Sequence, residues 1–266
     1  MEGKLPNLLR MKIPLLISSL VLAVSAQATV IFQENFDGDN TTNLNGTAPD
    51  VRPGSQVWTS SSTVVLRTDG SIATTGGASA WLPYTFASNQ AYTLTTVVDI
   101  AYNGNSTAPI GIGFTSNGPL SGAAVNLADS GDYGIFQVRR DGSWAFFEGD
   151  DNNSTATAAG SGLFTTNRDN YEIKLVLDTS AAAWTLAGYL NGLQVDLNGA
   201  GAGLLFTYAS NPVLSGVGVS YASNTYSFES FALSAQAVPE PHGAVLAALG
   251  GVAVLVFRRR GEVIRQ

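Results

Sequence analysis

The chain has 266 residues, of which 45% are hydrophobic and only 12% are charged, so it can bury one sizeable core. Residues 29–234 carry 17 acidic and 6 basic side chains, a net charge of −11 against −7 for the whole chain. This disfavours nucleic acid as a partner, because neutralising phosphates needs clustered Lys and Arg. Cysteine is absent and the one histidine, His242, lies outside this region, which excludes disulfides, a Ser-His-Asp triad and a histidine zinc site there.

The first 28 residues have the composition of a secretory signal peptide. Three basic residues come first: Lys4, Arg10 and Lys12. An apolar stretch follows at residues 13–24, and Ala26 and Ala28 supply the small-x-small end of such peptides. We therefore expect the secretion machinery to remove residues 1–28, with cleavage after Ala28. Met11 is an alternative start that leaves a compact basic region.

Residues 29–234 predict a fold of many short strands. Glycine, Ser, Thr and Asn are abundant and long Lys- or Glu-rich helical patterns are missing, which favours an all-β fold. Two segments alternate most regularly, residues 91–100 and 171–177. Their predicted inward faces are Tyr92, Leu94, Thr96 and Val98 in the first, and Tyr171, Ile173, Leu175 and Leu177 in the second. Further strands are predicted at residues 30–38, near Trp58, and at 64–66, 81–84, 110–114, 217–221 and 226–233.

Two hairpins are predicted from their turn residues. Residues 134–140 and 143–147 meet across Asp141-Gly142. Residues 184–190 and 193–197 meet across Asn191-Gly192. Asp-Gly and Asn-Gly suit the positive φ angles of the two-residue hairpin turn, whose twist matches that of the flanking strands. Together these strands predict two packed antiparallel sheets.

Four motifs resemble the concanavalin A-like, or laminin G-like, jelly roll. They are an opening Glu34-Asn35-Phe36-Asp37-Gly38, a late Tyr171-Glu172-Ile173 strand, the hairpin at 184–192 and a closing Phe228-Glu229-Ser230-Phe231 strand. The resemblance implies an antiparallel two-sheet sandwich in which the first and last strands pair. A two-sheet sandwich with another strand order is the alternative.

The C-terminal segment differs in composition from the region before it. It begins with Val238-Pro239-Glu240-Pro241, continues with an uncharged apolar run at residues 243–257 and then reaches Arg258, Arg259 and Arg260. The two prolines keep the first part extended and outside any helix or sheet. As a helix, the 15-residue run would measure about 22 Å, less than the ~30 Å of a bilayer core, which favours a transient anchor. The arginines are expected to hold their end on the cytoplasmic side of the membrane.

This order of motif, apolar run and basic cluster resembles the PEP-CTERM sorting signal of Gram-negative bacteria. The resemblance implies processing near residues 239–241 by the membrane-embedded transpeptidase exosortase, and export to the cell surface or matrix. We therefore divide the chain into a signal peptide at 1–28, a sandwich domain at 29–234 and a sorting tail at 235–266. The alternative is that the apolar run is a buried core helix followed by a basic tail.

Carboxylates provide the remaining candidate chemistry. A glycosidase needs two acids roughly 5 to 9 Å apart, and the sequence lacks the Glu-x-Asp-x-Glu run of jelly-roll glucanases. Only a non-local pairing among Glu34, Glu172 and Glu229 is left as a catalytic alternative. Asp37 and Asp39 lie in an Asp- and Asn-rich loop, whose oxygens suit a hard cation. Calcium at these two residues is the candidate cofactor, and a solvated acidic loop is the alternative.

Aromatic residues are the candidates for sugar contacts. Five of them are suited to stack on sugar faces, with packing inside the sandwich as the alternative for each: Trp81, Tyr84, Tyr133, Trp144 and Phe147. Together with the export signals, they predict a non-catalytic, adhesin-like or glycan-binding module of the cell envelope, associated with exopolysaccharide. A jelly-roll glycan hydrolase or lyase and a purely structural matrix protein are the alternatives.

Overall fold

The computed structural model describes residues 27–37, 43–60, 65–66, 72–73, 78–116, 133–148, 156–199, 203–222 and 226–238. Within these ranges the chain forms sixteen strands and no helix. The strands form two seven-stranded antiparallel sheets and one two-stranded pair. The prediction of an all-β, antiparallel two-sheet sandwich is confirmed.

The first sheet is built around the two longest alternating segments. In spatial order it contains β1 (Thr29–Glu34), β16 (Tyr226–Ala237), β6 (Gln90–Ile100), β11 (Arg168–Asp178), β12 (Thr185–Leu190) and β13 (Leu193–Val195), and β14 (Phe206–Thr207) also pairs with β12. The first and last strands are neighbours, with Thr29 opposite Ala235 and Glu34 opposite Phe231, as the jelly-roll resemblance implied.

The second sheet packs against the first. In spatial order it contains β10 (Ala158–Gly160), β9 (Trp144–Glu148), β8 (Tyr133–Arg139), β7 (Pro109–Thr115), β15 (Gly216–Tyr221), β5 (Ala78–Pro83) and β2 (Thr59–Ser60). The separate pair is β3 (Val65–Leu66) with β4 (Ile72–Ala73). Strand β2 is an edge strand, so one side of β5 lies close to the margin of this sheet.

The core lies between the two sheets and follows the predicted alternation. The inward faces predicted for β6 and β11 are buried at every position, while their neighbours along the strand are half-buried. The one polar member, Thr96, donates its hydroxyl to the carbonyl of Ser230 at 2.6 Å, which satisfies it inside the core. Aromatic side chains fill much of the remaining space, as where Trp58 meets Phe231 edge-on with ring centroids 5.2 Å apart.

The hairpin between β12 and β13 has the predicted two-residue turn. Leu190 pairs with Leu193, and the two residues between them both have positive φ angles, +50° at Asn191 and +81° at Gly192. Such a pair of angles defines the type I′ turn that favours Asn-Gly. This prediction is confirmed.

The hairpin between β8 and β9 differs from the prediction, because its loop has three residues. The N–H of Arg139 donates to the carbonyl of Ser143, and the N–H of Gly142 donates to the carbonyl of Arg139. Only Gly142 has a positive φ, +78°, so the prediction of a two-residue turn at Asp141-Gly142 is wrong. Asp141 accepts hydrogen bonds from both the N–H and the hydroxyl of Ser143, and these bonds hold it at a negative φ angle. Gly142 alone therefore supplies the positive φ that reverses the chain direction.

Several sequence-based assignments lie outside the described residues. These are Ala26 with most of the signal peptide, Asp39, Pro239, Glu240, Pro241, the apolar run at 243–257 and the arginines 258–260. In the part of the chain that is described, no helix is long and apolar enough to cross a membrane. Strand β16 extends to Ala237, and the N–H of Val238 donates to the carbonyl of Asn89 at 3.1 Å, so the folded domain reaches the first residue of the predicted sorting motif.

Candidate functional site

The second sheet has an outer face built largely from residues with small side chains. Its strands point Ile112, Phe114 and Val219 into the core, and the residues between them point away from it. In the register of the sheet, one outer row runs Trp81, Gly218, Gly113, Ile135 and Phe147. The next row runs Ser79, Ser220, Gly111, Gln137 and Ala145. None of these ten residues carries a charge.

The two ends of this outer face differ. At one end, Ile135, Ala145 and Phe147 form a small buried apolar cluster with Ala156. At the other end, Trp81 is half-buried and Thr59, its partner on β2, is exposed. The Trp81 end is therefore where the outer face meets solvent.

Trp81 lies directly over the backbone of Gly216. A Cβ atom added at Gly216 would lie only 2.0 Å from Nε1 of Trp81 and 2.5 Å from the carbonyl oxygen of Leu82. Both distances are far below van der Waals contact, so this position accommodates no side chain while the indole is there. Glycine at 216 thus sets the position of the indole on the sheet.

Several buried polar atoms on β5, on β2 and in the segment before β2 are unsatisfied. Among the described residues no hydrogen-bond partner exists for the buried atoms Nε1 of Trp81, Oγ of Ser79, Oγ of Ser60 and Oε1 of Gln56. Ser79 is only 2% exposed. A buried polar atom without a partner costs about 1–3 kcal/mol, so such atoms are normally satisfied by water or by a ligand. Trp81 and Ser79 share the outer face of β5, whereas Ser60 pairs with Ala80, which lies in the core, so Ser60 lies on the other face of the sheet. The outer face therefore offers two unsatisfied polar atoms, Nε1 of Trp81 and Oγ of Ser79.

A groove of about 370 Å³ lies at the end of β5, two residues along the chain from Trp81. It is lined by Pro53, Gln56, Pro83, Tyr84, Thr85 and Ser215, and none of these side chains is charged. Burial raises the pKa of Tyr84 to about 12, so its hydroxyl stays protonated at any physiological pH. The groove, together with Trp81 and Ser79 on β5, is named here the β5-edge site, and it offers aromatic surface beside neutral hydrogen-bonding groups.

The five predicted sugar-stacking residues fall into different environments. Trp81 and Tyr84 both belong to the β5-edge site, whereas Phe147 lies at the buried end of the outer face. Trp144 is 7% exposed and packs against Phe136 in the main core, so for this residue packing inside the sandwich is confirmed. The side chain of Tyr133 lies outside the described part of the chain.

The three acids considered for catalysis have separate roles. Glu34 is 4% exposed and accepts hydrogen bonds from the N–H of Phe36 and from Nε1 of Trp58. Burial raises its pKa above 4.5, more than those two hydrogen bonds lower it. Glu172 lies 3.6 Å from Nζ of Lys174 in a surface ion pair, and Glu229 accepts a hydrogen bond from the hydroxyl of Ser227. None of the three lines the β5-edge site.

The predicted calcium site is only partly within the described residues. Asp37 is exposed at the end of the segment after β1, and Asp39 lies outside the described ranges. Among the described residues, no group of three or more carboxylate or histidine side chains is arranged to hold a metal ion. Calcium at Asp37 and Asp39 therefore stays a sequence-based prediction.

The glycines of the outer face were missed from the sequence. Gly111, Gly113, Gly216 and Gly218 alternate with apolar core residues, and this spacing is visible in the printed sequence. Alternating glycine on a half-buried strand indicates a face on which backbone, rather than side chains, forms the surface. The signal could have located the outer face, but not Gln56, which lines the groove at the end of β5 from the segment before β2.

Comparisons with known proteins give the fold. No protein-family model matches the sequence, and no characterised protein matches it significantly. An endo-1,3-beta-glucanase from Streptomyces sioyaensis has a similar structure, with a TM-score of 0.51, 10% identity, and coverage of 79% of this chain and 97% of that one. A protein of unknown function with a galectin-like fold from Bacillus subtilis gives a TM-score of 0.50 at 12% identity, covering 79% and 96%. The carbohydrate recognition domain of Emp46p gives a TM-score of 0.49 at 12% identity, with coverage of 69% of this chain and 89% of that one. At these identities the first two likenesses show a shared sandwich fold and nothing further.

Proposed function

We propose that this protein is an exported, non-catalytic glycan-binding module of the bacterial cell envelope, and that a neutral glycan binds at the β5-edge site. The observation that carries the proposal is the half-buried indole of Trp81, whose buried Nε1 has no hydrogen-bond partner among the described residues, and neither has the buried Oγ of Ser79 on the same face of β5. Sugars present apolar C–H faces and neutral hydroxyl groups. An aromatic surface beside uncharged donors and acceptors matches both.

The chemistry of the site supports binding over catalysis. Glycoside hydrolysis uses a pair of carboxyl groups, and the described residues of the β5-edge site include no Asp or Glu. Both carboxylate oxygens of Glu34 already accept hydrogen bonds, one from the N–H of Phe36 and the other from Nε1 of Trp58. A hydrolase or lyase is kept as the alternative because a solved structure of the same fold is a glucanase.

Export and sorting belong to the same proposal. The signal-peptide pattern at 1–28 and the PEP-CTERM-like tail support secretion, passage through the exosortase and delivery to the surface or matrix, where exopolysaccharide is the expected partner. The position of Val238 at the edge of the folded domain supports this, since the predicted sorting motif then begins where the sheet ends. The apolar run and its arginines would anchor the precursor in the inner membrane until processing.

Binding is tested with the mature protein on an array of neutral and acidic glycans, followed by calorimetry with the glycans retained. We expect saturable binding to neutral chains and no formation of reducing ends. Release of reducing ends would establish the hydrolase alternative. Absence of retention by every neutral glycan would refute the binding proposal and favour a structural matrix protein.

Sorting is tested separately, by the mass of the protein in cells with and without the exosortase. We expect the tail to be retained when the enzyme is absent. An identical mature mass in both strains would refute the sorting proposal while leaving glycan binding untouched.

A further inference from the structure

A second groove lies at the margin of the first sheet, and it is named here the Arg168 groove. It has a volume of about 440 Å³ and lies between the start of β11, the residues just before that strand and the β12–β13 hairpin. Four apolar residues line it: Leu163, Leu190, Leu193 and Val195. Leu193 is 75% exposed, and among the described strands β13 pairs with β12 alone. Apolar surface is therefore open to a ligand at this margin.

The Arg168 groove and the β5-edge site lie at opposite margins of the sandwich. Strand β13 ends the first sheet on one side and β1 on the other, and the five strand spacings between them measure roughly 24 Å. The β1 margin adjoins the segment before β2, where Trp58 donates to Glu34. The β13 margin adjoins β10, because Gly199 lies against Ala158. The two grooves share no residue, so each can be occupied independently of the other.

Arg168 supplies the groove with a positive charge. It is half-buried at the first position of β11, and its guanidinium carbon lies 5.8 Å from the ring centroid of Phe164. Burial raises the pKa of the Tyr171 hydroxyl and the charge of Arg168 opposes that rise, so the guanidinium also lies close to this hydroxyl. Among the described residues no ion pair or side-chain hydrogen bond involves Arg168, whereas Lys174 lies 3.6 Å from Glu172. The guanidinium of Arg168 is therefore available to an anionic ligand.

The acids near the Arg168 groove do not line it, since none of its lining residues is Asp or Glu. Asp99 and Asp196 accept backbone N–H groups, and Glu172 forms the ion pair just described. Asp169 follows Arg168 in the chain and is exposed. These carboxylates weaken the attraction for an anion, so a ligand must also gain free energy from the apolar lining.

The groove lies away from the points where two acidic segments outside the described residues, 117–132 and 149–155, join the second sheet. The N–H of Leu163 donates to the carbonyl of Gly142, in the turn between β8 and β9. The two segments join at the other end of those strands, next to Tyr133 and Glu148, and β8 spans roughly 20 Å. Their attachment points are thus remote from Arg168.

We propose that the Arg168 groove is a second glycan site, which binds an acidic sugar residue, a uronate, through its carboxylate. A guanidinium forms two parallel hydrogen bonds to a carboxylate, a geometry that arginine provides and lysine does not. The apolar lining suits the C–H face of a sugar ring, and Asn191 and the Tyr171 hydroxyl suit its hydroxyl groups. A fatty acid would leave those polar groups without partners. The inference rests on the proposed role as a glycan-binding module, but not on the β5-edge site.

The test titrates the isotope-labelled mature protein with three probes and follows its backbone amide resonances. Glucuronate carries the carboxylate, glucose has a hydroxymethyl group in its place, and hexanoate has a carboxylate without a sugar ring. We expect saturable shifts at residues 162–171 and 190–195 with glucuronate, and none there with the other two probes. Absence of these shifts with glucuronate would overturn the site. Equal shifts with glucose would refute the role of the carboxylate, and equal shifts with hexanoate would refute the sugar.

Charge variants locate the binding. Asn191→Asp adds a negative charge at the groove, and Asn89→Asp is the matched control, because both asparagines are exposed and have similar φ angles, +50° and +60°. Asn89 comes directly before β6, whereas Asn191 donates to the carbonyl of Glu172, which pairs with Val97, roughly 27 Å further along the strand direction. We expect Asn191→Asp and Arg168→Gln each to weaken glucuronate binding at least about tenfold, and Asn89→Asp to change it less than about twofold. Equal weakening by both Asn→Asp variants would mean that only net charge matters, which contradicts the site.

The result is separable from that of the β5-edge site. Arg168→Gln and Asn191→Asp should leave neutral-glycan binding unchanged, and Trp81→Ala should leave glucuronate binding unchanged. A protein that binds glucuronate at the Arg168 groove but retains no neutral glycan would refute the β5-edge site alone. Thermal unfolding checks the fold of each variant, and Asn191→Asp, at an exposed turn, keeps the test decisive if Arg168→Gln disturbs the contact with Phe164.

Discussion

The indole Nε1 of Trp58 donates a hydrogen bond of 3.1 Å to the buried carboxylate of Glu34, 24 residues earlier in the chain. The other carboxylate oxygen accepts the N–H of Phe36 at 2.8 Å. Phe36 has a φ of +53°, a left-handed conformation that costs a residue with a side chain roughly 1–2 kcal/mol. The Glu34–Trp58 pair therefore holds the end of β1 against the segment before β2, and it compensates for local strain at Phe36.

Removing the indole donor should destabilise the domain. Trp58→Phe keeps an aromatic ring in the core but leaves one oxygen of a carboxylate that is 4% exposed without its partner, which we expect to cost about 1–3 kcal/mol of unfolding free energy. Trp144→Phe is the control, because Trp144 is also buried and, among the described residues, no hydrogen bond joins it to a carboxylate. Urea unfolding measures both variants. Equal losses of unfolding free energy in the two variants would show that the smaller ring, and not the missing hydrogen bond to Glu34, causes the destabilisation.

The raised pKa of Glu34 predicts a pH dependence with a definite sign. Burial raises the folded-state pKa above the unfolded value of 4.5, so the protonated form is favoured by folding. This contribution to stability is fully present below pH 4.5 and is lost as pH rises through the folded pKa. Other carboxylates also titrate, so the quantity to measure is the stability difference between the wild type and Glu34→Gln at several pH values.

In that comparison the wild type should lose stability relative to Glu34→Gln as the pH is raised from 4 towards 7. The glutamine cannot ionise, and it loses one of the two accepted hydrogen bonds at every pH. A difference that stays constant across this range would mean that burial does not perturb the Glu34 carboxyl.

Gly142 and Gly192 have nearly the same positive φ, but only one of them has a close neighbour. Replacing each by alanine therefore distinguishes the cost of backbone strain from the cost of a steric clash. Gly192 has a φ of +81° and nothing within 4 Å of an added Cβ, whereas Gly142 has +78° and its Cβ would lie 2.2 Å from the carbonyl oxygen of Phe164. Gly192→Ala should cost only the left-handed conformation, about 1–2 kcal/mol. Gly142→Ala should cost roughly 1–3 kcal/mol more, since the neighbouring loop has to move. Chemical denaturation compares them, and equal costs would contradict the close approach at Phe164.

Local patterns allowed much of this fold to be predicted from the sequence, but not its site. The inward face of β6 follows from alternation alone, because each side chain either meets solvent or the core. The alternation of residues along the strands does not distinguish Trp81 from Trp144. Which of them faces the other sheet depends on how the sheets pack, and this is why the sequence left both sugar stacking and packing inside the sandwich open for Trp144. The place of Gln56 beside Pro83 in the groove depends likewise on the path of a loop, which no periodic pattern encodes.

Chelation and addition of metal test the calcium prediction for Asp37 and Asp39. If that prediction holds, calcium at 100 times its dissociation constant should stabilise the domain by about 2.7 kcal/mol, and EDTA should reverse the gain. Asp37→Asn and Asp39→Asn should each abolish most of the effect, since each removes a charged ligand. An unfolding temperature that calcium and EDTA leave unchanged would show that these residues form a solvated acidic loop.

Trp81 should carry the binding energy of the β5-edge site. Its indole is half-buried over Gly216, with Nε1 buried and lacking a hydrogen-bond partner among the described residues, so a bound sugar gains both a stacking surface and a donor. Trp81→Ala should weaken neutral-glycan binding at least tenfold, about 1.4 kcal/mol. Trp81→Phe should recover part of the loss, because it restores the aromatic face without the N–H. Trp184→Ala is the matched control, because Trp184 is also half-buried but packs against the main core from the segment before β12. Calorimetry on the three variants decides the matter: if Trp184→Ala weakens binding as much as Trp81→Ala does, the effect reflects lost stability and the glycan contacts another surface.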